Sequence, residues 1–538
     1  MEELMKKKNY YFILVFLTLL FVPITSQSTT SKAFTQTGKC GKNAYWKFVP
    51  SSKKLFIWGT GAIDQTIEID TNTLGPYKEN NYVNIIIKEG ITSIKMGTKT
   101  YGSSKNRGIS VFQNIGWFPI KNLKCPDSLK TLSFGALYNQ DIDNIYLGKN
   151  LSKIEDGAFY FCHLNNIYIS SKNKHFIVKN HTIYTKDLRT LVCSKQTAKI
   201  KNLNFTIPNT VRTIRPLAFA HEASLKKVIL PKNLRSIGGG AFFRCINLQN
   251  VNLTSKTKIK KLPDFDLRKY HIIRDNQLSL AYTSDSEEYP DLKYNANKDR
   301  NYFLGTFENC PLSSVTIPDQ VVSLSSETFA NGDDEFHVSP IGKIHFGKYF
   351  KGAINTRNIF EYSPNSCTLY SVQPNKITVA KENKKYCVKD NILYSKDQSI
   401  LYYAGHAPLK KISKTKKVTI SKKVHRIANG AFYDYYLYAA DKGIKNVTLT
   451  FKGNIEYIGF MAFEYPSSLK KVVFEKNVNY VANHAFHSTT IREIICKGTM
   501  SHIQPYSIEN SSIEYLKKYP KEMQEVIMAR KTHIAQFH

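Results

Sequence analysis

Beyond its first thirty residues the 538-residue chain contains no long apolar run. That excludes a multi-spanning helical membrane protein, since each crossing needs about 20 apolar residues. Acidic residues are scarce: 42 Asp and Glu stand against 76 Lys and Arg, a formal net charge of +34. A field of that sign favours anionic partners such as cell-wall polymers, membrane surfaces, polysaccharides or nucleic acid. It also keeps a large surface soluble. Catalytic signatures are missing: there is no H-E-x-x-H, no G-x-S-x-G, no phosphate-binding loop and no EF-hand loop. Gly59-Thr60-Gly61-Ala62 lacks the third glycine and the strand–helix setting of a dinucleotide site and reads as a β-turn. His484 and His487 offer two metal ligands at i,i+3 without a third, and read as part of a chain turn. The chain is therefore read as a non-enzyme that needs no metal or cofactor.

The nine cysteines form neither a C-x-x-C pair nor zinc-like spacing. Cys40, Cys193, Cys367 and Cys387 are candidates for disulfides, with no connectivity legible.

What the chain has in quantity is aromatic surface, with 33 Tyr and 31 Phe, which argues for an ordered protein. Its length exceeds one compact core, so several domains or an extended array is expected. Residues 1–28 read as a signal peptide. Lys6, Lys7 and Lys8 form a basic start, Phe12 to Ile24 a thirteen-residue apolar stretch, and small residues follow, placing cleavage between Gln27 and Phe34. The expected location is secreted or cell-surface, with no transmembrane segment after cleavage.

Self-similarity is the strongest signal. "TIRPLAFAHEASLKKVIL" (213–230) and "SIGGGAFFRCINLQNVNL" (236–253) share one skeleton 23 residues apart. Aligned on Ala-Phe, the unit is L-x-x-V-x-L-P-x-x-L-x-x-I-x-x-x-A-F, as in Leu225, Val228, Leu230, Pro231, Leu234, Ile237, Ala241 and Phe242. Uninterrupted copies lie 22 or 23 residues apart. One such coil cannot bury its own apolar side chains, but stacked coils share a continuous core, so the period predicts a solenoid. The V-x-L segment has strand period: Val228 and Leu230 point inward, Lys227 and Ile229 outward. Val228, Val251, Val315 and Val472 are expected inward in short strands of one parallel sheet. The Ala is small where the chain turns against its neighbour, and the Phe fills the interior. Cys162, Cys245 and Cys310, three residues after the bulky position, and Cys125 and Cys496, at the third strand position, read as small buried apolar residues.

Between coils, "FIVKNHTIYTKDLRTL" (176–191) and "YCVKDNILYSKDQSIL" (386–401) correspond over sixteen positions at an offset of 210 and read as inserted β-hairpins. The predicted organisation is 1–28 signal, 29–80 a β-rich N-terminal module, and 81–253 repeats with a hairpin at 173–193. Then follow 254–305, a polar insertion holding the acidic "SDSEEYPD", 306–508 repeats with a hairpin at 383–403, and 509–538 a C-terminal tail or cap.

Outward strand positions carry the functional signal. The residue before the second inward position is asparagine in seven of eleven copies, at Asn84, Asn122, Asn144, Asn166, Asn204, Asn250 and Asn446. Stacked asparagines can bond along a ladder, and the same column offers a polar binding face. The next outward column brings Lys124, Tyr146 and Tyr168 together, a patch suited to protein contact or glycan stacking, and equally to plain strand propensity. Asn122, Asn144, Asn166, Lys124, Tyr146 and Tyr168 are the candidate ligand-binding residues. "LKKV" and "LKKI" place paired lysines at strand starts, and Lys226, Lys227, Lys410, Lys411, Lys470 and Lys471 are the candidate polyanion-binding residues.

The rhythm of "SIGGGAFFRCINLQNVNL" resembles the BspA-like leucine-rich repeats of bacterial surface and secreted proteins, I-G-x-x-A-F-x-x-C-x-x-L-x-x-V-x-L/I-P. The resemblance spans about 40–508, including "CGKNAYWKFVPSSKKLFIWGTGAI" at its start. Thr328 and Ser507 in place of Ala, and Leu137 in place of Phe, depart from it. It implies a leucine-rich repeat solenoid of short parallel strands, one per coil, with little helix and inserted β-hairpins. It also implies an exported protein that binds protein or glycan on another surface, as adhesins do. The alternative is a polyanion-binding protein retained on an anionic cell-wall polymer or on extracellular nucleic acid by its charge.

Overall fold

The computed structural model of the chain describes residues 35–70, 82–101, 104–112, 118–195, 201–270, 303–325, 327–330, 341–354, 366–367, 374–404, 417–433, 446–466, 469–508, 515 and 517–535. The predicted signal segment, the acidic stretch 284–291, Lys410 and Lys411 lie outside the described residues.

Most repeats contribute two short strands. The V-x-L segment forms the first, such as Leu225–Ile229, with Leu225 and Val228 buried and Lys227 exposed. The isoleucine of L-x-x-I sits in a two-residue second strand, such as Thr213–Ile214 and Ser236–Ile237. Strands of successive coils pair in parallel and in register: Asn84 with Asn122, Asn144 and Asn166 in the first ladder, Ile214 with Ile237 in the second. Between them the Ala-Phe turn closes the coil. Ala241 and Phe242 are fully buried. The phenylalanines stack as a ladder, with centroids 5.0 Å apart for Phe219–Phe242, 5.1 Å for Phe242–Phe307 and 5.6 Å for Phe307–Phe329. Those spacings are close to the ~4.8 Å between neighbouring strands, so the side-chain stack and the backbone ladder reinforce each other. The fold is a leucine-rich repeat solenoid.

Gly59-Thr60-Gly61-Ala62 is not a turn. It lies inside one continuous strand, Lys54–Gln65, which pairs first with Val83–Ile87 in one ladder and then with Ile91–Tyr101 in the other. Gly59, at φ 110°, supplies the bend between ladders, and a Cβ there would meet the Asn43 carbonyl.

The first ladder runs in three blocks among the described residues. One begins with the antiparallel strands Gln36–Gly41 and Asn43–Val49, passes through Lys54–Gln65 and ends at His163–Ile169. A second starts at Leu203–Thr206, reaches Val315–Thr316 through an Asn250–Ser314 bridge, and ends at Lys376–Val379. The third is Lys417–Ile420, Val447–Phe451, Leu469–Phe474 and Glu493–Cys496. Val228, Val251, Val315 and Val472 are all buried as expected, but Val472 belongs to a different block from the other three.

Each break coincides with an inserted segment, and each segment is a three-stranded meander instead of a single hairpin. The first is Phe176–Lys179, Thr182–Thr185 and Thr190–Ser194; the second is Tyr386–Lys389, Ile392–Ser395 and Ile400–Tyr403. Asn180-His181 and Asp390-Asn391, all at positive φ, make the tight first turns. The third strand of each joins the second ladder, Leu191 pairing with Ile214 and Leu401 with Ile427. Alternate residues serve opposite sides: Ile183 and Val192 pack into the N-terminal core, Tyr184 and Leu191 into the central one. Likewise Leu393 and Tyr402 enter the central core, Ile392 and Leu401 the C-terminal one. A meander is thus a partition sheet, apolar on both faces, separating adjoining cores.

Three first-ladder strands escape the Ala-Phe alignment: Lys343–Phe346, Lys376–Val379 and Lys417–Ile420. The 254–305 insertion is also less detached than its polarity suggests. Ile259, Leu262, Phe265 and Leu267 are buried, and Phe265–Asp266 pairs antiparallel with Phe303–Leu304. At the C-terminal end Tyr519 and Met523, the latter in the helix Lys521–Ala535, pack into the last core.

Candidate functional site

The outward face of the N-terminal block carries the asparagine column as a bonded ladder. Asn122 Nδ2 donates to Asn84 Oδ1 at 2.7 Å, Asn144 Nδ2 to Asn122 Oδ1 at 3.3 Å, and Asn166 Nδ2 to Asn144 Oδ1 at 3.0 Å. Each bond spends polar capacity on the neighbouring coil, so the column stiffens the face. In the central block the register continues through Asn204, Lys227 and Asn250, where Asn250 Oδ1 accepts from Ser313 Oγ at 2.9 Å. Asn446 is not in the column. Thr448, pairing with Lys417 and Lys471, occupies that position two residues further on, because Val447 pairs with Leu469 at the first inward position and Leu449 with Val472 at the second.

Beside the ladder, Tyr146 and Tyr168 stack at 4.9 Å between centroids and 12° between planes, and are 37% and 47% exposed. Lys124 Nζ lies 6.0 Å from the Tyr146 centroid. One ring face of each tyrosine covers the other and Lys124 lies over Tyr146, so this patch offers ring edges, hydroxyls and the outer side of Tyr168. A parallel row is charged: Lys121 Nζ bonds Asp143 Oδ2 at 2.6 Å and Asn165 Nδ2 bonds Asp143 Oδ1 at 2.7 Å. A second aromatic pair lies on the same sheet outside the repeats, exposed Tyr45 stacked on exposed Trp58 at 6.2 Å. Their signal was the strict alternation of Ala44, Tyr45, Trp46, Lys47 and Phe48, which sends Tyr45 outward and Trp46 inward.

The candidate lysines do not form one cluster. Lys226 is half-buried and Lys227 exposed on the central block, whereas Lys470 and Lys471 lie on the C-terminal block, where Lys471 Nζ pairs with Glu493 at 3.0 Å.

Cys162, Cys245 and Cys310 are buried. Burial pushes the Cys162 thiol up to about 12, so it stays protonated at neutral pH. Cys125 and Cys496, expected to be buried, are half-buried, because they stand where the chain leaves the end of its strand. Cys40, Cys193 and Cys387 carry free thiols; the Cys367 side chain lies outside the description. His487 Nδ1 contacts Glu464 Oε1 at 2.8 Å and His484 stacks with Tyr506. Among the described residues no group of three or more His, Cys, Asp or Glu could hold a metal ion.

The family model for the BspA type leucine rich repeat region matches residues 104–206, 195–279, 302–345 and 410–514, in six copies. The chain belongs to this family. Among solved structures, this BspA-type chain is similar to a leucine-rich repeat protein from Eubacterium ventriosum, at 16% identity over 75% of this chain and 97% of that one, with a TM-score of 0.32. It is also similar to a leucine rich cell surface protein from Faecalibacterium prausnitzii, at 14% identity over 84% and 83%, TM-score 0.30. A third is a leucine-rich repeat protein from Bacteroides ovatus, at 14% over 81% and 94%, TM-score 0.30. A search of curated proteins finds no match. No helix among the described residues is long and apolar enough to cross a membrane.

Proposed function

We propose that this BspA-type repeat protein is exported and acts as a surface adhesin, gripping a protein partner through the outward face of its N-terminal block. The observation that carries the reading is the exposed Tyr146–Tyr168 stack on a bonded asparagine ladder. Large rings held still lose little entropy on binding, and their hydroxyls supply directional bonds, which is what a protein contact needs. Because the two tyrosines cover one face of each other and Lys124 lies over Tyr146, flat stacking on a run of sugar rings is the weaker fit for this patch. Export rests on the basic start and the thirteen-residue apolar run.

The test is capture of surface and matrix proteins by the purified chain at low and high salt, with Tyr146→Ala/Tyr168→Ala alongside. Shaped contacts should hold at high salt, and the double variant should lose the captured protein while melting as the parent does. Equal capture by both would overturn the reading, as would capture that vanishes with salt.

A further inference from the structure

The central block carries an arrangement that neither the sheet face nor the paired lysines account for. Arg189, Arg212 and Arg235 occupy one position on three successive coils: the Arg212 N–H donates to the Arg189 carbonyl at 2.7 Å, and the Arg235 N–H to the Arg212 carbonyl at 2.8 Å. Their backbones are therefore about one strand spacing, ~4.8 Å, apart. Arg189 and Arg235 are exposed and Arg212 is half-buried. Arg212 Nη1 donates to the carbonyls of Asn209, Thr210 and Val211, at 2.7, 3.0 and 3.2 Å, which fixes its guanidinium in place. Next to this column runs a hydroxyl column, Thr190, Thr213 and Ser236, paired in register.

The row leads into a cleft. The second ladder is interrupted between Lys153–Ile154 and Thr190–Ser194, where the first meander enters. The gap is an open cavity of about 590 Å³, lined among others by Lys153, Asp156, His175, Thr185 and Arg215. Arg215 is clamped there, its Nε on Asp156 Oδ1 at 2.6 Å and its Nη1 on the Ile154 carbonyl at 2.7 Å. Thr185 Oγ1 accepts from the Thr190 N–H at 3.0 Å, tying the cleft wall to the start of the hydroxyl column.

We infer that this cleft and the arginine column form a binding site for a linear acidic polysaccharide with one carboxylate per sugar, a polyuronate. Three observations lead there. Guanidinium groups pair carboxylates in a two-pronged geometry, and here they repeat once per coil, close to the advance of an extended sugar chain by one residue. The hydroxyl column alongside can exchange hydrogen bonds with sugar hydroxyls. Neither column contains an aromatic ring, and the cleft adds only His175 beside the buried Phe176, so a nucleic-acid strand finds no row of rings to stack on. The cleft, in the volume range of small-ligand sites, receives the end of the chain. This site is independent of the protein-binding face, and its residues are different.

The experiment measures binding of the full chain to immobilised polygalacturonate at physiological salt, with neutral dextran and polyphosphate as comparison surfaces. Arg189→Gln/Arg235→Gln alters only the two exposed arginines, and Lys232→Gln/Lys343→Gln removes the same charge at exposed positions elsewhere on the block. The arginine variant is expected to bind polygalacturonate at least about tenfold more weakly, and the lysine variant within about threefold of the parent, because exposed charges outside a shaped site contribute little. Arg189→Lys/Arg235→Lys should recover only part of the loss, since lysine keeps charge but not the two-pronged geometry. Equal losses in the arginine and lysine variants would reduce the site to net charge and overturn the inference. So would failure of the parent to bind polygalacturonate, or tighter binding to polyphosphate. Thermal melts of all variants separate loss of the site from loss of the fold.

Discussion

One buried asparagine anchors each meander. Asn383 Nδ2 donates to the carbonyls of Gly347 and Phe350, each at 2.9 Å, while its Oδ1 accepts the N–H groups of Lys385 and Tyr386 at 2.9 and 2.8 Å. Asn173, 210 positions earlier, makes the same four bonds to Gly148, Leu151, His175 and Phe176. Replacing Asn383 by Ala strands several backbone groups in the interior, and should cost about 2–4 kcal/mol, read from the shift in denaturant midpoint. A loss below about 0.5 kcal/mol would mean that water replaces the amide. The two asparagines are visible in the sequence as matching letters just ahead of the matched segments. Their role is not, because the carbonyls they bind belong to the preceding coil, more than 20 residues away.

At the scale of the element, the meanders show how strand edges are managed. The edge of Lys376–Val379 is covered by Asn391 from the turn of the following meander. Its Oδ1 accepts the Ile377 N–H at 2.8 Å and its Nδ2 donates to the Asn375 carbonyl at 3.1 Å. Such a cap denies the edge to another chain. The second turn is held by a carboxylate. Asp397 accepts from the Ser395 and Ser399 hydroxyls and from the Ser399 N–H, and these bonds draw its pKa down to about 2. A carboxyl whose pKa is lower in the folded state than in the unfolded one stabilises fully above the unfolded value, near 4, and ceases to as pH falls through the folded value. Amide exchange of Ser399, corrected for the intrinsic rate, should therefore accelerate between about pH 4 and pH 2, and Asp397→Asn should abolish that dependence. An unchanged profile in the variant would assign the turn's stability elsewhere. Asp187, bonded in the same way to Thr185 and Arg189, is lowered for the same reason and should follow the same course.

Across the whole molecule, coupling should follow the stack. Phe219 and Phe242 lie face to face at 5.0 Å in the central core, whereas Phe463 belongs to the C-terminal core beyond a meander. Phe242→Ala should cost about 3–5 kcal/mol. Its effect should add to that of Phe463→Ala within about 0.5 kcal/mol, while Phe219→Ala/Phe242→Ala should deviate from additivity by more than that. Denaturation of the singles and doubles measures both. Additivity in the stacked pair would mean that the ladder is a row of independent side chains and not a shared core.

The sequence by itself determined the coil. The spacing of Leu225, Val228, Leu230, Ile237, Ala241 and Phe242 decides which side chains face in, because strand alternation and the size of an interior position act within a few residues of chain. It also placed Asn122, Asn144, Asn166, Tyr146 and Tyr168 in their columns, since coils without insertions stack in register. Only the tertiary structure decided what happens where coils are interrupted. Lys343–Phe346 and Lys376–Val379 join the central ladder without an Ala-Phe signal, Thr448 displaces Asn446 from the column, and the apolar letters of each meander divide between two cores. The arginine row was hidden for the same reason: Arg189 lies in an insertion and Arg212 in a repeat. Their alignment exists only because the meander's last strand pairs with the next coil and takes its register. Spacing along the chain governs which way a residue points, but which residue lies beside it is set by pairing between segments.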